Sequence, residues 1–262
     1  MRTAVLGLLL VSGWALFALT QVSSSASSFA SGDEPVRVSI GTFVFEQGQA
    51  LALELAREEP CPCLCGDLSV LAFRVLDSAD NPVYVDGGSY PVPAEEWVGK
   101  WRLVDDAGSP VPPGDYTAVI ETSLGEFRAQ LRVVAAGGRP SGRSLAQASV
   151  CGLELYVYRL VEKEEDGGTV LLREGERLMV ALPGNPTTGY QWTAVEEPGF
   201  LEALPGVDYL REATPTPVGA GGAFFFRYLA GEAGEGTLSF AYQRPWEDTP
   251  VEEFSITVIV GP

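Results

Sequence analysis

The sequence predicts an all-β protein with two β-sandwich domains in tandem after a signal peptide. Runs of alternating apolar and polar residues recur along the chain, as in half-buried β-strands. The 30 glycines and 19 prolines among these runs favour turns between strands. A length of 262 residues suits one or two domains. A stretch rich in small and polar residues (135–150) separates an N-terminal block (35–134) from a C-terminal block (151–262), and it predicts a linker.

The composition excludes several classes of function. The chain has 17 Lys and Arg against 35 Asp and Glu, a net charge of −18, which makes nucleic acid a poor partner. It contains no histidine, which removes the Ser-His-Asp and Cys-His constellations and the commonest general base. Paired carboxylates such as Asp105 and Asp106 leave an acid–base hydrolase open, although adjacent aspartates are more typical of turns. The lack of histidine thus excludes most hydrolase mechanisms, and we expect no enzyme activity and no small-molecule substrate.

The first thirty residues have the pattern of a signal peptide (1–30). Arg2 precedes an uncharged apolar stretch from Ala4 to Leu19, which is long enough for a signal-peptide core and short for a membrane-spanning helix. Small residues allow cleavage after Ala26 or Ala30. The pattern predicts a secreted or extracytoplasmic protein, in a periplasm or at a cell surface. Contact with the membrane is expected only if the segment is retained as an uncleaved anchor.

The four cysteines are candidates for disulfides, and they are Cys61, Cys63, Cys65 and Cys151. An even number in an exported protein favours disulfide pairing, and four cysteines allow three pairings. One arrangement closes Cys61 to Cys65 and joins Cys63 to Cys151. Thiolates binding Cu(I) or Zn(II) and free thiols are the alternatives, but no histidine or fourth nearby thiolate completes a tetrahedral set, so no metal site is predicted.

The N-terminal block contains six candidate strands separated by turn signals. They are Val36–Phe45, Ala50–Leu55, Leu68–Leu76, Trp97–Val104, Tyr116–Glu121 and Glu126–Val134. The segment from Trp101 to Thr117, WRLVDDAGSPVPPGDYT, resembles bacterial Ig-like domains of the intracellular proteinase inhibitor type. The resemblance implies an Ig-like β-sandwich and supports a fold far better than an activity, so a plain spacer domain is the simplest interpretation.

The C-terminal block alternates more regularly. Three sets of apolar residues each recur with a period of two, as on one face of a strand: Leu178, Val180 and Leu182; Leu238, Phe240 and Tyr242; Phe254, Ile256, Val258 and Val260. The run Ala223–Ala230 is apolar except for Arg227, which is typical of a strand covered on both faces. This block also predicts a β-sandwich.

Three loop segments interrupt these strands. The first, NPTTGY, comprises Asn185, Pro186, Thr187, Thr188, Gly189 and Tyr190; its turn dipeptides hold two threonines at a stiffened tip. The second is the glycine loop, which includes Gly219, Gly221 and Gly222. The third comprises Arg244, Pro245 and Trp246 and projects a large aromatic side chain with little backbone freedom to lose on binding. Each segment alone is ordinary, but together and in this order they form a specific pattern.

This pattern is similar to the three-loop signature of the chagasin family, protein inhibitors of papain-like cysteine proteases. The resemblance covers about Leu172 to Val260. It implies an Ig-type sandwich, so that the chain would hold two Ig-like β-sandwich domains. It also implies that the three loops enter the protease cleft and block it without being cleaved, with no metal or cofactor. In that arrangement Thr188 lies nearest the catalytic cysteine, and the glycine loop and Trp246 lie on either side.

Two other classes of function remain open from the sequence. A structural or adhesive cell-envelope protein of tandem Ig-like modules would keep both folds but use neither set of loops. A thiolate metal carrier would use the clustered cysteines. The loops favour the inhibitor, because an adhesin does not require threonine, glycine and tryptophan loops at one end of a domain.

Overall fold

The computed structural model describes residues 36–57, 68–137, 147–150, 153–206, 208–211 and 221–261. The predicted signal peptide, the four cysteines, residues 138–146 of the predicted linker and Gly219 lie outside the described residues. The export signal and the cysteine pairing therefore stay predictions. In the described part of the chain, no helix is long and apolar enough to cross a membrane.

The described residues form β-strands joined by turns, which confirms the all-β prediction. Eight strands lie in the N-terminal block: β1 (Val36–Glu46), β2 (Ala50–Arg57), β3 (Ser69–Leu76), β4 (Pro82–Val85), β5 (Val92–Pro93), β6 (Val98–Trp101), β7 (Gly114–Thr122) and β8 (Gly125–Val134). They are followed by β9 (Gln147–Val150), β10 (Leu153–Glu162), β11 (Thr169–Arg173), β12 (Arg177–Gly184), β13 (Gln191–Glu196), β14 (Leu201–Leu204), β15 (Tyr209–Arg211), β16 (Gly222–Ala230), β17 (Gly234–Gln243) and β18 (Glu252–Gly261). Short 3₁₀ turns span Ala94–Glu96, Lys163–Glu165 and Pro186–Thr188.

One predicted strand is too long. The interval Trp97–Val104 contains a strand only as far as Trp101. Leu103 has a φ of 54°, a left-handed conformation that an extended strand does not use. The Trp101 indole donates a hydrogen bond to the Val104 carbonyl at 2.7 Å, and this closes the turn.

The strands of the described residues form three sheets. The first has the order β1-β8-β7-β3-β4, with β5 also paired to β3; the second has the order β14-β16-β12-β10-β2-β6, with β15 on β16 and β9 on β10; the third has the order β11-β18-β17-β13. The second sheet joins the two blocks, because β2 pairs antiparallel with β10 from Ala50↔Leu160 to Arg57↔Leu153. The division into two domains stays a prediction, but the sequence did not predict a sheet continuous across it.

Strand β10 contributes to the cores of both blocks. Leu155 and Val157 pack in the core of the N-terminal block, whereas Val161 packs in that of the C-terminal block. Successive side chains of a strand point to opposite faces. Tyr156 and Tyr158 therefore lie on the other face of the shared sheet, in a third buried cluster that includes residues of β2, β12 and β16. We call this side the back face of the shared sheet.

The turn segment of the N-terminal block packs as a compact corner. The Tyr116 hydroxyl donates a hydrogen bond to the Pro112 carbonyl at 2.7 Å, and its ring meets the buried Trp101 edge-on at 5.7 Å. Asp105 accepts hydrogen bonds from the amides of Ala107 and Ser109. Asp106 accepts one from a neighbouring strand. Asp105 therefore stabilises the turn itself, and Asp106 joins this turn to β4.

Candidate functional site

The first loop connects β12 to β13 and presents a closed turn. Pro186–Thr188 form a 3₁₀ turn, and Gly189 ends it with a φ of 82°. Glycine adopts this left-handed conformation without steric cost. Pro186, Thr187 and Thr188 are exposed, so the two threonines lie at the tip, as predicted.

Asn185 holds this turn closed. Its side-chain Oδ1 accepts hydrogen bonds from the Thr187 amide at 3.1 Å and from the Thr187 hydroxyl at 2.7 Å. Its carbonyl accepts a hydrogen bond from the Thr188 hydroxyl at 2.6 Å. Asparagine is a favoured residue at this position because its short side chain satisfies the first free amides of the turn. The tip is therefore ordered by its own side chains before any partner binds.

An aromatic stack supports the loop from beneath. The Tyr242 ring stacks on Trp192 at 5.1 Å and lies 5.4 Å from Tyr190. The Tyr242 hydroxyl accepts a hydrogen bond from the Asn185 amide at 2.9 Å. The Trp192 indole donates to the Pro183 carbonyl at 2.9 Å. These contacts anchor both ends of the loop to β17, the strand that leads into the third loop.

The third loop connects β17 to β18 and contacts the first loop directly. Arg244 donates a hydrogen bond from Nε to the Thr188 carbonyl at 3.2 Å, and its guanidinium lies 4.3 Å above the Tyr190 ring. It also forms an ion pair with Glu247 at 3.0 Å. Trp246 is 72% exposed. A Cβ added at Gly189 would lie 3.2 Å from the Trp246 ring, so the two loops form one continuous surface.

The described glycines of the second loop lie beside the base of the first. Gly222 pairs with Gly184 across β16 and β12 and with Arg211 of β15. A Cβ at Gly222 would lie 2.1 Å from the Leu210 carbonyl oxygen, and a Cβ at Gly221 would lie 2.8 Å from the Gly184 carbonyl oxygen. The backbone therefore requires glycine at both positions. An open cleft lined by Gly184, Asn185 and Tyr242, among others, separates the first and second loops.

The structure thus brings the described residues of the three predicted loops to one end of the C-terminal block. The alternating pattern of the sequence places Tyr242 only on a strand face and does not predict its contact with the first loop. Its position as the last aromatic residue before the third loop was the available signal. Among the residues that the structure describes, no group of three or more His, Cys, Asp or Glu side chains could hold a metal ion.

Comparison with known proteins matches this same region. The family model described as chagasin family peptidase inhibitor I42 matches residues 172–258. Amoebiasin-1 from Entamoeba histolytica is 31% identical over 85 residues, which cover 32% of this chain and 80% of that protein. Chagasin from Trypanosoma cruzi is 33% identical over 91 residues, which cover 33% of this chain and 81% of that protein.

Solved structures also align with about two fifths of the chain. The solution structure of amebosin has 29% sequence identity and a TM-score of 0.34, covering 39% of this chain and 96% of that one. The crystal structure of the cysteine protease inhibitor EhICP2 from Entamoeba histolytica has 20% identity and a TM-score of 0.33, covering 39% and 93%. Because the two sequence relatives are matched over most of their length, this chain belongs to the chagasin family of peptidase inhibitors.

Proposed function

We propose that this chain is an exported protein inhibitor of papain-like cysteine proteases. It occludes the active-site cleft with its three loops, is not cleaved, and has no enzyme activity of its own. The observation that carries the proposal is the hydrogen bond from Arg244 to the Thr188 carbonyl, which ties the third loop to the exposed tip of the first. Two loops that touch in this way offer a single rigid surface to a cleft.

The conformation of the tip explains why the inhibitor would survive contact with a protease. Cleavage of a loop proceeds from a locally opened state of the chain. Opening the 3₁₀ turn would break the hydrogen bonds that Asn185 accepts from Thr187 and Thr188. It would also separate the Asn185 amide from Tyr242. The closed turn therefore disfavours the state in which the loop could be cut.

The same order lowers the cost of binding. A loop already held in its bound conformation loses little freedom when a complex forms. Trp246 then supplies the large apolar contact, because its exposed ring can become buried against the protease, and buried tryptophans are common binding hot spots. Thr188 would lie over the protease thiol and the glycine loop along the other wall of the cleft.

Titration of the purified protein against papain tests this proposal, with trypsin as a serine-protease control. We expect stoichiometric inhibition of papain, no inhibition of trypsin, and an intact inhibitor band after prolonged incubation. Leu171→Ala provides a control variant. Like Trp246, Leu171 is a large exposed apolar residue, at 62%. It lies on β11, which is at the opposite edge of the third sheet from β13. Full papain activity at an excess of the protein would refute the proposal.

Export is the part of the proposal that rests on the first thirty residues. Arg2 and the apolar stretch after it support a signal peptide. N-terminal sequencing of the protein recovered from outside the cytoplasm tests it. We expect the chain to begin at Ser27 or Ser31, after cleavage at Ala26 or Ala30. A chain that stays in the cytoplasm with Met1 intact would refute export and leave the inhibitory activity to be judged separately.

A further inference from the structure

We infer that the N-terminal block contributes to inhibition, with Glu54 as a positioning residue for the segment that contains β15, the strand paired with Gly222 of the glycine loop. Glu54 lies on β2 and acts through Arg227, which lies on β16. This inference rests on the proposed function and assigns a role to a block that the family match does not cover.

Glu54 and Arg227 form a buried ion pair across the two blocks. Arg227 Nη2 lies 2.7 Å from Glu54 Oε1, and Nε lies 3.0 Å from Oε2. The Arg227 side chain is 1% exposed and the Glu54 side chain 12%. The Tyr158 hydroxyl donates a third hydrogen bond to Glu54 at 2.9 Å. A two-point contact of this kind fixes the orientation of the guanidinium as well as its position.

The oriented guanidinium supports the chain that precedes the glycine loop. A Cβ added at Gly206 would lie 2.5 Å from Arg227 Cζ, so the backbone at Gly206 lies directly on the guanidinium. Two residues later the Asp208 carbonyl accepts a hydrogen bond from the Phe225 amide at 2.9 Å. We call residues 203–211, without the undescribed residue 207, the supported segment.

The last strand of the supported segment pairs with the glycine loop. This strand is β15, whose Arg211 pairs with Gly222, and Gly222 in turn pairs with Gly184 at the base of the first loop. Movement of the Arg227 side chain would therefore displace β15, which pairs with Gly222, and Gly222 lines the cleft between the first and second loops. Removal of one partner of a buried ion pair is strongly destabilising, so loss of the Glu54 charge favours movement of the Arg227 side chain. Glu54 thus acts on the loops through Arg227 and the supported segment.

Hydrogen exchange and inhibition of the full-length chain test the inference together. Glu54→Gln keeps the size of the side chain and removes its charge. Glu162→Gln is the matched control: Glu162 also pairs across the blocks, with Lys100 at 3.2 Å and Arg102 at 2.7 Å, and its side chain is 14% exposed. Glu162 ends β10 and Lys100 lies on β6, whereas in the described part of the chain β15 pairs with β16. We expect Glu54→Gln alone to speed exchange in the supported segment and to raise the inhibition constant for papain about fivefold.

The two readouts separate a positioning role from a structural one. A Glu54→Gln protein that melts at a lower temperature but keeps wild-type exchange in residues 203–211 and wild-type inhibition at 25 °C would overturn the inference. Equal effects from Glu162→Gln would also overturn it, because loss of any ion pair between the blocks would then weaken inhibition and speed exchange in the same way. If the wild-type protein fails to inhibit papain, the proposed function fails, and the exchange rates alone decide whether Glu54 positions the segment.

Discussion

Replacement of Tyr242 by phenylalanine is the sharpest test of how the first loop is held. The change removes one oxygen atom, the acceptor for the Asn185 amide at 2.9 Å. The ring that stacks on Trp192 and lies beside Tyr190 is retained. The variant therefore separates the hydrogen bond from the aromatic packing.

The expected effect follows from the exposure of the donor. An amide left without a partner in a fully buried site costs about 1–3 kcal/mol. Asn185 is only partly buried, so water can replace the lost acceptor and the cost falls to the lower limit, about 1 kcal/mol. In the unbound Tyr242→Phe variant the first loop is less ordered, and the loop must become ordered again when the protease binds. We expect the inhibition constant for papain to rise about fivefold.

Tyr228→Phe is the matched control for this measurement. It also removes one hydroxyl, which donates a hydrogen bond to Glu197 at 2.7 Å. Tyr228 pairs with Leu178, near the start of β12 and away from its loop end. We expect this control to lower the melting temperature without changing the inhibition constant. Tyr242→Phe that inhibits as the wild type, or Tyr228→Phe that weakens inhibition as much, would refute the reasoning.

Three further substitutions test other contacts. Trp246→Ala should weaken papain inhibition by about 2 kcal/mol or more, mainly through faster dissociation, with little change in stability because the ring is exposed; binding kinetics that match the wild type would exclude Trp246 as an anchor. Thr188→Arg should weaken inhibition by at least about 2 kcal/mol through steric mismatch at an exposed tip that tolerates the change in folding, and an unchanged inhibition constant would remove Thr188 from the interface. Glu54→Leu should lower the free energy of unfolding by about 3 kcal/mol, since it removes one partner of a buried ion pair; in urea unfolding, Glu54→Leu combined with Arg227→Met should recover most of the loss, and a single variant as stable as the wild type would contradict the burial argument.

The sequence predicted the strands well because their signal is local. Alternation places Leu178, Val180 and Leu182 on one face of β12, and all three are buried in the core of the C-terminal block. The loops were predictable for a related reason, since Asn-Pro and Thr-Gly mark turns whatever surrounds them. What they contact was not predictable. The support of the first loop by Tyr242 depends on the pairing of β13 with β17, and two-residue alternation does not say which strands pair.

The shared sheet is the clearest case of a feature that alternation leaves open. In β2, Leu51, Leu53 and Leu55 face the core of the N-terminal block. These three side chains would face that core whichever strands paired with β2. The same alternation predicts that Glu54, which lies between Leu53 and Leu55, faces solvent. Its burial follows only from the pairing of β2 with β10, which places it on the back face of the shared sheet near β16.

One residue of the sequence did carry information about this arrangement. Arg227 interrupts an apolar strand whose two faces were both predicted to be covered, and a buried guanidinium requires a carboxylate partner. That partner is Glu54 of the N-terminal block. A spacer domain joined only through a flexible linker would leave Arg227 without this carboxylate. The ion pair therefore favours an inhibitor in which the N-terminal block and the C-terminal block act together. The shared sheet couples the position of one block to that of the other.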